Sequence, residues 1–315
     1  MKLPLAATTA ALLFLLNFAG RAQAAPAPGA VSASASILMY HHIAAAPRNL
    51  APGDQQYFVE PAAFDRQLFY LLSNGYNVVP LASVVDALTG GMPLPPKAVA
   101  ITIDDGWQDF WQNGLNIVKK YAVPVTIFAI ADADKDPYMS PPERWALDHS
   151  GVDVEAHSLT HPYLTKLLPA IANGEVANSR KSLEKELSLP VLLFAYPYGD
   201  SNKAVQAMVQ AAGYRAAFAA GPANDEDSRN LLQLPRVMVS AFDTLDTFGM
   251  KASDYRWART HALPLPAAPP RLAPVTVTAP LTGVPAAPPA TSSPAETESP
   301  TRLLDDVPDG SMPPG

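Results

Sequence analysis

Apolar residues fall into short runs separated by amphipathic stretches between residues 36 and 260. Ile37-Leu38-Met39-Tyr40 is an apolar run suited to a buried strand. Pro61 to Asn74 places Phe64, Leu68, Leu71 and Leu72 at helical spacing, with Gly75 as a stop. The pattern then predicts a strand at Asn77–Val79, a helix at Leu81–Leu88 ending in Gly90-Gly91, and a strand at Ala98–Ile103. A helix over Asp109–Tyr121 and strands at Val125–Ile130 and Val152–Glu155 follow. Asn173–Leu187 reads as a charged amphipathic helix, Val191–Ala195 as a strand, and Ser201–Ala212 as a helix closed by Gly213. Tyr214–Ala219 and Arg236–Val239 are the late strands. Strands alternating with helices imply parallel pairing, with the helices outside the sheet. About seven such units predict a distorted (β/α) barrel, an α/β fold, with an open doubly wound sheet as the alternative. In either fold, active residues belong in loops after the strand C-termini.

The alternation stops at both ends. Residues 25–35 are Ala, Pro, Ser and Gly with almost no bulky side chain, and read as a flexible lead. Of the 34 prolines, 14 lie from Ala262 onward, where no aromatic residue occurs. Such a segment cannot bury enough apolar area to offset its chain entropy, so 261–315 reads as a disordered Pro/Ala-rich tail. Residues 1–24 carry the marks of a secretory signal: Lys2, an apolar stretch from Leu5 to Ala19, and Ala22-Gln23-Ala24 at the cleavage position. That stretch is short for a membrane span, which needs about 20 residues. The expectation is an exported protein, periplasmic or extracellular, with no stable membrane span after cleavage. There is no Cys, hence no disulfide, thiolate ligand or lipid-modified Cys. Charged residues make up 16% and the net charge is −7, which gives no electrostatic reason to bind nucleic acid or an anionic membrane. A neutral glycan polymer remains a possible partner.

Asp104 and Asp105 directly follow the apolar run Ala98–Ile103, with Gly106 next. Two carboxylates at the mouth of a buried strand need a metal, a cation or several N–H donors; alone, Asp-Gly can also be a simple turn. His157-Ser158-Leu159-Thr160-His161 follows another predicted strand. Its two imidazoles meet on one face if the backbone makes one helical turn. Two His and one carboxylate form a metal-binding set that leaves positions open for water and substrate. Tyr40-His41-His42, Phe194–Asp200 and Leu234-Pro235-Arg236 stand at the ends of other strands.

The segments Ile101–Gly106, His157–His161 and Phe194–Gly199 resemble the motifs of the polysaccharide deacetylases with a NodB-type domain (carbohydrate esterase family four), in the same chain order over roughly 36–240. Ile37–Ile43 is similar to the start of a permuted branch that includes poly-N-acetylglucosamine deacetylases. The resemblance implies hydrolysis of N-acetyl groups on a glucosamine-containing polysaccharide, with a divalent metal, zinc foremost, as cofactor. It implies Asp105, His157 and His161 as metal ligands, Asp104 as general base and His41 as general acid. It also implies the backbone N–H of Tyr198 as an oxyanion donor. The common family form has Arg where this chain has Ala195, and Arg236 is the expected replacement. No late His motif is present, which moves the acid role to Tyr40-His41, with His42 as the other option. The spacing of His157 and His161 matches the general family, whereas the biofilm enzymes often carry a wider one. Trp107 is expected to stack on a sugar face; Trp111 is at least as well suited to core packing. Tyr163 and Tyr198 are further candidates for the groove wall. The alternatives are an esterase acting on O-acetylated polysaccharide, and a non-catalytic glycan-binding envelope protein on the same fold.

Overall fold

A computed structural model describes residues 32–51, 53–220, 225–227 and 230–253. The signal reading over 1–24, most of the lead and the tail at 261–315 lie outside these residues. Strand β1 spans Ser32–Tyr40, so it starts five residues before the predicted apolar run. Its early residues need no large side chain, because they pair through the backbone: Ala35 lies opposite Ala98 of β3 (Ala98–Asp105). Next to β3 stand α1 (Pro61–Ser73), β2 (Asn77–Val78) and α2 (Leu81–Leu88). Then come α3 (Leu115–Tyr121), entered through a π-turn at Phe110–Gly114, and β4 (Thr126–Ala129). They are followed by α4 (Pro141–Asp148), β5 (Asp153–Ala156), α5 (Pro169–Leu187) and β6 (Leu193–Ala195). The described residues end with α6 (Lys203–Ala211), β7 (Ala216–Ala220), β8 (Asp225–Asp227), β9 (Leu234–Met238) and α7 (Leu245–Ala252).

Seven parallel strands close on themselves in the order β3-β4-β5-β6-β7-β9-β1 and back to β3. The architecture is the (β/α) barrel, not the open sheet. β2 runs beside the start of β3, and β8 pairs antiparallel with the start of β1.

Alternation along the strands sorts the side chains into two layers. Ile37, Ala98, Ala100, Phe128, Ala195 and Phe218 pack together inside the ring. Leu81, Val84, Val85 and Leu88 of α2 join that layer and plug the end where the strands begin. The intervening residues, such as Leu38, Tyr40, Ile101, Ile103 and Ile127, pack outward against helices. With the lower end plugged, the C-terminal mouth is left for chemistry. Among the described residues, no helix is long and apolar enough to cross a membrane.

Candidate active site

The inward row of β3 runs Ala98, Ala100, Thr102, Asp104, and so carries a carboxylate into the barrel mouth. Asp104 is 2% exposed. Burial raises its pKa, but Arg236, with help from His157 and His41, outweighs that and holds the carboxyl at about 2. Arg236 donates to both carboxylate oxygens, at 2.6 and 2.7 Å. It stands on the inward row of β9, is buried, and donates also to Thr102 Oγ1 at 3.1 Å. The bidentate fork fixes the plane of the carboxylate.

Asp105 would alternate outward. It has φ +71° and Gly106 has φ +81°, and this left-handed pair turns its carboxylate over the mouth. His157 leaves the end of β5, and its Nδ1–H donates to the Ala195 carbonyl at 2.8 Å. That bond leaves a lone pair on Nε2. His157 Nε2 lies 3.5 Å from Asp105 Oδ1. His161 Nε2 lies 3.3 Å from the same oxygen and 3.2 Å from His157 Nε2. One donor atom from each of the three residues thus falls within 4.8 Å of the others.

The two histidines do not meet through a helical turn, as expected from their spacing. Residues 157–161 form a loop in which Ser158 and His161 both have φ +64°. Left-handed residues cannot continue a right-handed helix. Side chains hold the loop instead. Ser158 Oγ accepts the His161 N–H at 2.8 Å. Glu175 of α5 accepts the N–H groups of Leu159 and Thr160, at 3.0 and 2.8 Å, and the Thr160 hydroxyl at 2.7 Å.

The donor set fits a divalent cation. Asp105 Oδ1 is buried with no hydrogen-bond partner among the described residues, and buried polar atoms without partners are rare and costly. Burial and the adjacent His157 depress His161 to about 4, against the opposing pull of Asp105, so its imidazole is neutral at neutral pH. Two imidazoles and one carboxylate are ligand types that zinc accepts.

The inward row of β1 continues from Ile37 and Met39 to His41, and the next residue, His42, faces the opposite way. His41 lines the cleft, and its buried Nδ1 has no hydrogen-bond partner among the described residues. Burial lowers its pKa, while Asp104 and Asp105 oppose the shift. His42 is committed elsewhere: its Nδ1 lies 2.6 Å from Asp109 Oδ2 and its ring stacks on Phe58 at 3.9 Å.

Trp107 departs from expectation. Its ring stacks with His42 at 4.3 Å and with Tyr138 at 4.4 Å, so rings of the chain itself already pack on it. Its Nε1–H donates instead to Asp105 Oδ2 at 2.9 Å. Trp111 packs against the hydrophobic core. Tyr163 and Tyr198 are half-exposed, stack on each other at 3.9 Å, and form one wall of the cleft beside His161. Tyr198 has φ +59°, and the following Gly199 has φ +67°. At Gly199 a Cβ would also meet the Ala220 backbone nitrogen at 3.0 Å. The cleft has a volume of about 940 Å³ and takes in His41, Asp104, Asp105, His157, His161 and Arg236. Tyr57, which packs on His41 at 4.8 Å and ends a short 3-10 helix, and Tyr138, which bridges to Trp107, belong to the surroundings of the site and gave no signal in the sequence.

Residues 91–217 match the family model described as polysaccharide deacetylase. The chain is 26% identical, over 214 residues, to the provisionally named polysaccharide deacetylase YxkH of Bacillus subtilis (strain 168), covering 68% of this chain and 74% of that one. It is 24% identical over 212 residues to a poly-beta-1,6-N-acetyl-D-glucosamine N-deacetylase of Staphylococcus aureus (strain MSSA476), covering 61% of this chain and 71% of that one. The fold is shared with the Streptococcus pyogenes deacetylase PplD, solved in complex with acetate, at TM-score 0.66 and 23% identity, covering 71% of this chain and all of that one.

Proposed function

Since this chain carries the NodB-type domain of the polysaccharide deacetylases and is a deacetylase hydrolase, we propose that it removes N-acetyl groups from a glucosamine-containing polysaccharide with the aid of a divalent metal, releasing acetate. The observation that carries this reading is Asp105 Oδ1, buried and without a hydrogen-bond partner among the described residues, facing the Nε2 atoms of His157 and His161 beside an arginine-held Asp104. Asp105, His157 and His161 hold the metal. When bound, a metal such as zinc supplies Lewis acidity that polarises the acetyl carbonyl and eases deprotonation of the attacking water.

The chain's own residues do the rest. Asp104, ionised and fixed in plane by Arg236, takes a proton from the attacking water. The backbone N–H of Tyr198 supports the oxyanion of the tetrahedral intermediate. His41, at the end of β1, gives a proton to the departing amine, which is a very poor leaving group as an anion. Similarity to the staphylococcal poly-beta-1,6-N-acetyl-D-glucosamine N-deacetylase supports an N-acetylglucosamine polymer as substrate. The apolar stretch between Leu5 and Ala19 supports export.

The test is acetate release by the purified protein from β-1,6- and β-1,4-linked N-acetylglucosamine oligomers and from acetylated xylan. We expect release from a glucosamine polymer, loss of release on chelation, and recovery with zinc. Asp104→Asn should retain the metal and lose turnover. Release from xylan alone would reassign the protein as an esterase. A zinc-loaded protein silent on the whole panel would leave only a glycan binder.

A further inference from the structure

We propose that Trp107 is a positioning residue that makes Asp105 a one-oxygen ligand; the inference rests on the metal reading above. Its indole Nε1–H occupies Asp105 Oδ2 at 2.9 Å, while Oδ1 is the oxygen that faces the two imidazoles. A carboxylate with one oxygen committed to a hydrogen bond presents only the other to a cation. The coordination position saved is one that water and the acetyl oxygen require. Groups that hold a ligand from behind in this way set its orientation and basicity.

The surroundings are built to keep the indole where it is. Phe58, His42, Trp107 and Tyr138 form a continuous column of rings, with successive centroids 3.9, 4.3 and 4.4 Å apart. The column is anchored on either side of Trp107. His42 is tied to Asp109, whose second carboxylate oxygen accepts the Ile43 N–H at 2.9 Å. On the other side, Trp107 and Tyr138 form an isolated β-bridge, and the Met139 N–H donates to the Gly106 carbonyl at 2.9 Å. The buried Arg144 donates to the carbonyls of Ala133 and Met139 at 2.6 and 2.9 Å and is itself pinned by Glu186. Stacking with His42 and Tyr138 holds the indole beside Asp105. Its N–H is the one donor to Oδ2 among the described residues.

Trp107→Phe keeps a ring in the column and deletes the donor. The readouts are zinc affinity of the metal-stripped full chain, by competition with a chromophoric chelator, the visible spectrum of the cobalt-loaded protein, and the Tm of the metal-free protein. We expect zinc affinity to fall about 10- to 100-fold, with the Tm of the metal-free protein unchanged. The cobalt bands should weaken as Asp105 closes onto the ion with both oxygens and raises its coordination number. Zinc affinity and a cobalt spectrum equal to wild type would overturn the proposal. Should Trp107→Phe lower the metal-free Tm, benzothienylalanine placed at position 107 keeps the indole shape without the N–H, and the same two outcomes decide. His157→Ala separates this question from the one beneath it. A wild-type chain that binds zinc no better than His157→Ala sinks the metal site itself, and this inference with it.

Discussion

His41 and His42 are neighbours in the chain and differ by one step of a strand's alternation. That step sends His41 into the barrel beside Asp104 and sends His42 to Asp109 and the ring column. His41→Gln should therefore keep zinc bound and lower kcat by about 10²- to 10⁴-fold, the usual worth of a general acid. The pH profile follows from the sign of the shift. Burial lowers the pKa of His41, so the protonated form is held only below the ordinary histidine range. A cation bound nearby pushes the same way. The alkaline limb that this acid sets should lie below the ordinary histidine value and be absent from the residual activity of His41→Gln. A limb that persists there places the acid elsewhere.

Among elements, the contact between β5 and β6 is the narrowest in the ring, with a single ladder pair at Ala156 and Phe194. Glu155 of β5 reinforces it by accepting the N–H groups of Leu192 and Leu193, each at 2.8 Å. Burial pushes this carboxyl up to about 8, against the lowering effect of those two bonds. A folded pKa above the unfolded one means that the stabilisation is fully present below about pH 4.5 and is lost as pH rises through about 8. Thermal melts should show wild-type Tm falling across that window and Glu155→Gln flattening the fall. Parallel curves for the two proteins would deny Glu155 the role.

Elements were legible in the sequence where side-chain alternation alone decides them, as in β3 and α1. α4 went unread, although Ser140 and Glu143 form a capping box, with the Ser140 N–H donating to Glu143 at 2.8 Å. The meeting of His157 and His161 was legible as a spacing but not as a conformation, because Ser158 and His161 adopt positive φ without the Gly or Asn that would announce it. The role of Arg236 beside Asp104 was legible only through resemblance, and the contact from Trp107 to Asp105 not at all, since the rings that hold the indole come from positions 42, 58 and 138 in chain order.

At the scale of the whole molecule, the ring is closed by Met238 and α7 ends at Ala252. A chain stopped after Ala262 should keep wild-type Tm and acetate release. A clear drop in Tm would show that the tail packs on the barrel. Where the ring closes has a further consequence, in time. β1, from the beginning of the domain, is held between β3 and β9, from its beginning and end. A chain synthesised as far as Ala220 already contains both aspartates and both site histidines, yet it lacks the strand that shuts the ring and the guanidinium that neutralises Asp104. Until residue 236 arrives, folding inward would strand a carboxylate in the barrel with no counter-ion. The last strand thus brings two things at once, the closure of the ring and the counter-ion of Asp104.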